Sequence, residues 1–149
     1  MSLSPLQKIG LRLLRVHDVI YQKSGGRIGH RLPGAPPSLL LHSVGAKTGA
    51  ARVNTLTYAT DGGRYLIVAS NGGANRYPAW YHNLKAHPDV EINVGPQRFA
   101  VHADILLPEH PEYARLWQVV NANNADRYTN YQQRTDRPIA IIALSRRVP

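Results

Sequence analysis

The stretch HSVGAKTGAARVN, residues 42–54, decides between two folds. A Gly-x-Lys-Thr-Gly run after the apolar string Leu39-Leu40-Leu41 resembles a phosphate loop opening a helix, which would make this a parallel, doubly wound chain. Such a loop needs Gly-x-x-x-x-Gly-Lys-[Ser/Thr] between a strand and a helix, because the helix N-terminus supplies the N–H groups and the positive dipole. Here Ala46 separates Gly45 from Lys47, and no glycine stands five residues before Gly45. The residues beyond the run, 52–60 with their Val, Thr and Tyr, alternate faces like a strand. The stretch is therefore a turn between two strands, and the sheet is antiparallel.

Outward from that turn the same period continues. Ser38–Val44 reads as the strand before it, and Asp61-Gly62-Gly63 is a hairpin signal leading into a buried strand at 64–70, RYLIVAS. Asn71-Gly72-Gly73 breaks the sheet, and Pro78 can open a short helix, PAWYHNLKAH, that stops before Pro88. Strands at 90–94 and 99–107 flank Gly95-Pro96. PEYARLWQVVN (111–121) is helical by periodicity, DRYTNYQQR carries a second helical stretch, and 139–144 is a final buried strand. Six short strands, mostly hairpin-linked, with helices at the edges predict an α+β fold built on a six-stranded antiparallel barrel. No repeat, linker or low-complexity segment divides the 149 residues, so one domain over 1–149 is expected.

Ahead of the barrel, Leu6, Ile9, Leu13, Val16 and Ile20 recur at steps of three and four, with Lys8, Arg12, Arg15 and Asp18 on the other side. This predicts an N-terminal amphipathic helix within 1–24, with Ser4-Pro5 at its start and Ser24-Gly25-Gly26 at its end. It either covers the domain's core or lies on a membrane surface. No apolar run approaches the ~20 residues of a membrane span, and Lys8, Arg12 and Arg15 interrupt any secretory signal. The chain has no cysteine, which removes disulfides and thiolate chemistry and suits a reducing compartment. The expected location is the cytoplasm, with peripheral contact at the inner membrane face as the variant in which the first helix binds lipid. The formal charge is +9, concentrated in residues 1–52, where eight basic side chains face Asp18 alone. Such a field attracts anions. The seven histidines show no recognised metal-ligand spacing.

Three constellations carry chemistry. In the first, Lys47, Thr48 and Arg52 accompany a glycine-flexed turn whose backbone an anion can approach, which predicts an anion-binding turn without naming the anion. In the second, ASNGGANRYPAWYHN (69–83), paired glycines after a buried strand let a flat ring approach the backbone, beside Trp80 and Tyr81 as apolar walls. Read alone, that segment is better taken as a turn with a core tryptophan. In the third, DRYTNYQQRTDR, Tyr128 and Tyr131 share a helix face, where their phenols can donate to a substrate or pack with a wet tip.

Together, GAKTGAARVN, DGGRYLIVASNGGANRYPAWYHNLKAHP and YTNYQQRTDR resemble the deazaflavin-dependent nitroreductase family of actinobacteria, split β-barrel proteins of the FMN-binding type that use coenzyme F420. The likeness covers 39–144. It implies that the turn Ala46, Lys47, Thr48 and the strand Arg52, Val53, Asn54, Thr55, Leu56, Thr57 bind the coenzyme's phosphate and acidic tail. It also implies that Val68, Ala69, Ser70 and Asn71, with Ala79, Trp80, Tyr81, His82 and Asn83, line the deazaflavin ring and ribityl chain. Ser70, Tyr128 and Tyr131 are placed on the substrate side, Tyr128 also touching the coenzyme. One position departs: the nitroimidazole-activating members carry a tyrosine where this chain has Ala125.

The resemblance implies an enzyme that transfers hydride from reduced F420 to a conjugated electrophile: a quinone, an unsaturated lactone or a nitroaromatic. Tyr128 is the candidate proton donor or orienter, with solvent as the competing source. FMN fits less well, as the cofactor of an oxidase on the same barrel. A basic nucleic-acid-binding barrel is the non-enzymatic reading, but no strand interleaves basic and aromatic residues and Phe99 is the only phenylalanine. A small-molecule substrate and a homodimer are the expected partners.

Overall fold

The computed structural model describes residues 36–148, so the helix expected within 1–24 lies outside the described residues. β1 (Ser38–Val44) and β2 (Ala51–Thr57) run antiparallel, from Ser38 opposite Thr57 to Val44 opposite Ala51. Between them the Gly45 N–H donates to Ala50 O at 2.8 Å and the Gly49 N–H donates to Gly45 O at 2.9 Å, so the deciding stretch is a hairpin turn. β3 (Ala59–Asp61) and β4 (Arg64–Val68) form the next hairpin. Its two central residues, Gly62 and Gly63, have φ of 55° and 85°, the left-handed pair that matches the twist of the flanking strands. β5 (Asp89–Val94), β6 (Gln97–Leu106) and β7 (Ile141–Arg146) complete the sheet. The helices are α1 (Ala79–Ala86), α2 (Tyr113–Asn123) and α3 (Arg127–Gln132).

The sheet order β2-β1-β5-β6-β7-β4-β3 puts β2 and β3 at opposite edges, although only Tyr58 separates them in sequence. A sheet whose two edges are joined by one residue must curl until they meet, and a curled antiparallel half-barrel results. Tyr58 marks the corner: its N–H donates to Pro37 O at 3.1 Å, and its buried ring stands edge-on to Tyr65, centroids 5.5 Å apart. The strand expected over 52–60 is thereby divided, and six expected strands become seven because the chain changes partner at this residue, from β1 to β4.

Two cores arise from the period of two. Ile142 and Leu144 of β7 and Ile67 of β4 point into the barrel with Leu39, Leu41 and Ile92. Their neighbours Ile141, Ala143, Leu66 and Val68 point outward, where Leu116 and Val120 of α2 cover them. β7 is therefore buried on both faces, which explains its unbroken apolar run. Among the described residues no helix is long and apolar enough to cross a membrane.

Candidate active site

Two open cavities adjoin along β2. The first, about 520 Å³, is walled by the turn (Gly45, Ala46, Lys47, Thr48), by Arg52, Val53 and Asn54 of β2, and by Ala79, Trp80, His82 and Asn83 of α1. α1 starts where Pro78, extended at φ −64° and ψ 154°, turns the chain into the helix. The turn itself is held by Asn83: its Oδ1 accepts the Ala46 N–H at 2.9 Å and its Nδ2 donates to Ser43 Oγ at 3.3 Å. Lys47 and Arg52 are exposed, and neither pairs with a carboxylate among the described residues. Two cations without anionic partners at the rim of a concave surface can hold an anionic ligand.

The second cavity, about 370 Å³, begins at the next three residues of β2, Thr55, Leu56 and Thr57, and shares Trp80 with the first. Its far wall holds Val68, Ser70, Asn71 and Gly72 on one side and Asn124, Tyr128 and Tyr131 on the other. The turn after Ser70 is left-handed at Asn71, Gly72 and Gly73, with φ of 45°, 64° and 83°. A Cβ on Gly73 would stand 2.7 Å from Tyr131 O, so only glycine lets this turn lie against the backbone of α3. Opposite it, Ala125 and Asp126 are also left-handed, at φ 53° and 59°, and redirect the chain from α2 into α3. Asn121 Oδ1 accepts the Thr129 N–H at 2.9 Å and fixes that junction. The Tyr128 ring stands at 68° to that of Tyr131, centroids 6.3 Å apart. Burial pushes the Tyr128 phenol up to about 12, against a smaller opposing pull from Asn124.

Most of the residues singled out from the sequence therefore line one of two adjoining cavities. Two do not. Ala69 is wholly buried with its N–H on Ala140 O, and Tyr81 is buried in the core, stacked on Tyr77 at 4.0 Å. Their positions have local causes: Ala69 continues the β4–β7 pairing, and Tyr81 lies on the barrel side of α1. Gly45 and Gly72, read from the sequence as turn glycines that a ligand can approach, also line the walls, whereas sequence reasoning missed Pro78 and Asn124 as wall residues. The glycines and Pro78 were visible as turn signals, whereas nothing in the sequence marks Asn124. Among the described residues no group of three His, Asp or Glu side chains is placed to hold a metal ion.

The sequence model of the F420H(2)-dependent quinone reductase family matches residues 13–146. An F420H(2)-dependent quinone reductase of Mycobacterium tuberculosis is 66% identical over 139 residues, 93% of each chain. Among solved structures, an F420-H2 dependent reductase is 34% identical, with a TM-score of 0.61 over 71% of this chain and 93% of its own. Another, described as a domain-swapped dimer, is 29% identical with a TM-score of 0.67, covering 95% of this chain and all of the other. With a curled antiparallel sheet, a cationic cavity leading into an aromatic one, and these likenesses over most of its length, the chain belongs to the F420H(2)-dependent quinone reductase family.

Proposed function

We propose that this chain reduces quinones, with coenzyme F420 lying along β2 from the Lys47 turn to Tyr128. As a member of its family it is an oxidoreductase, and its cofactor is coenzyme F420. The observation that carries the placement is that one strand, β2, lines both cavities, cationic at the turn and aromatic at the other end. The donor set fits the group: Lys47, Thr48 and Arg52 suit a phosphodiester and an oligoglutamate tail, and Trp80 with Val68 and Leu56 suits a flat ring. When bound, the reduced deazaflavin supplies a hydride. The chain's own residues hold and shield the reactants. Asn83 fixes the anion turn, Trp80 separates the tail end from the ring end, and Tyr128 and Ser70 present hydroxyls toward an acceptor oxygen that gains charge.

A quinone suits this arrangement because its carbonyl oxygens take hydrogen bonds from hydroxyl donors while its ring packs on apolar walls. The small Ala125 where nitroimidazole-activating members have tyrosine gives no added donor for a nitro group. The likeness to a domain-swapped dimer supports the expected homodimer.

Fluorescence titration with F420 and steady-state oxidation of reduced F420 by a naphthoquinone test the reading. We expect F420 to bind, more weakly as salt rises, and FMN and an oligonucleotide not to compete. Lys47→Ala and Arg52→Ala should each weaken F420 by about tenfold, the loss of roughly 1.5 kcal/mol of charge-assisted bonding. Unchanged affinity in both variants would overturn the tail assignment. Turnover with nitroaromatics but not with the quinone would overturn the acceptor.

A further inference from the structure

We propose that Arg137, which stands behind the second cavity rather than in its wall, is the positioning residue that sets the gap between Ser70 and the tyrosines of α3. The inference rests on assigning that cavity to the acceptor. In the turn from Asn71 to Gly73 the two glycines take positive φ freely, and that same freedom leaves the segment many other conformations, so its two backbone bonds, Gly73 N–H to Ser70 O and Ala74 N–H to Asn71 O, need support from outside to keep this one. One side chain spans its carbonyls. Arg137 Nη1 donates to Ala69 O at 3.0 Å, and Nη2 donates to Ser70 O at 2.9 Å and to Ala74 O at 2.8 Å. Nε donates to Ala74 O as well, at 3.1 Å. Both ends of the turn are thus tied to one planar group, which lies 4.4 Å over the Tyr77 ring and pairs with no carboxylate among the described residues.

The other end of the brace is α3. Gln132, the last residue of that helix, donates from Nε2 to Arg137 O at 2.8 Å and accepts the Ile139 N–H on Oε1 at 3.0 Å. Arg137 therefore couples the Ser70 wall to the helix that carries Tyr128 and Tyr131. A charge alone does not do this. The three carbonyls are reached by a rigid fork of donors in one plane, and a lysine ammonium, a point donor on a flexible stem, cannot span them.

The test compares Arg137→Lys and Arg137→Met with the wild type, using exposed Arg98→Gln as the surface control. Three quantities are read: amide hydrogen exchange without any ligand, F420 affinity, and KM and kcat for a naphthoquinone. In both Arg137 variants we expect exchange at the Gly73 and Ala74 amides to rise by about tenfold or more, while the 45–50 turn is unchanged. F420 affinity, set by the Lys47 end, should stay within about threefold, and quinone KM should rise by about fivefold or more with a smaller change in kcat. Lysine should rescue no more than methionine does. A wild-type KM in Arg137→Lys, unchanged exchange at 73–74, or a uniform rise across the barrel would each overturn the proposal. If neither Arg137 variant folds, Tyr77→Leu, which removes the ring beneath the guanidinium, is read in the same way. Exchange is measured without coenzyme or quinone, so it decides the brace even if the wild type reduces no quinone, a result that would count against the proposed function instead.

Discussion

Tyr128 is the residue whose chemistry depends most on where the fold puts it. A phenol on an open helix titrates near 10, whereas burial in the second cavity pushes this one up to about 12. It therefore keeps its proton at any pH an assay uses, which suits the proposed role of hydrogen-bond donor to developing charge better than that of a general acid, which works best with a pKa near the working pH. Tyr128→Phe should lower kcat/KM for a quinone by about ten- to a hundredfold, the ~1.5–3 kcal/mol of a hydrogen bond to a charged oxygen. F420 affinity should hardly change. The wild-type rate should show no step between pH 7 and 10 that the phenylalanine variant lacks; such a step in stopped-flow rates would assign Tyr128 the proton after all. Lys47 and Arg52 differ in kind, since they gather about one turn through neighbouring positions in the chain, and so they were legible from sequence.

At the scale of elements, the link between α2 and α3 stores strain. Ala125 and Asp126 adopt the left-handed region in succession, and a residue with a Cβ resists that conformation by roughly 1–2 kcal/mol. Ala125→Gly should relieve this, less the extra freedom that glycine gives the unfolded chain, for a net gain of about 0.5–1 kcal/mol. The readout is a higher urea midpoint at unchanged slope. A lower midpoint would mean that the Ala125 methyl contributes packing that outweighs the strain. Both helices were legible from their periodicity, but the angle between them was not, because an alanine gives no signal of a positive φ.

At the scale of the molecule, the β3–β4 hairpin is tied to α2 through an ion cluster centred on Asp61. Asp61 accepts from Arg115 at 2.7 and 3.2 Å and from Arg64 at 2.6 Å, and Arg64 also reaches Glu112 at 3.2 Å. Arg115, with Arg64 beside it, holds Asp61 down at about 2. Because the folded value lies below the unfolded one, near 3.8, the contribution to stability is complete above pH 4 and is lost as the pH falls from 4 through 2. Asp61→Asn should melt below the wild type at pH 7, and the gap should narrow as thermal melts are repeated at pH 4, 3 and 2. A constant gap would show that the ion cluster is not its source. Residues at this surface matter because β3 is a free sheet edge, joined to the other edge at Tyr58.

The sequence by itself determined whatever depends on neighbours in the chain. The failure of GAKTG as a phosphate loop, the hairpin at Gly62-Gly63, the alternating strands and the clustering of Lys47, Thr48 and Arg52 about one turn are all local facts. The features that only the tertiary structure decided depend on residues far apart meeting: the division of one strand at Tyr58, the burial of Ala69 and Tyr81 away from the cavities, the entry of Asn124 into the site, and the reach of Arg137 to carbonyls more than 60 positions earlier. Local periodicity records which face a residue prefers. It does not record which distant backbone will present its carbonyls to that face, because sheet order and curvature set those distances.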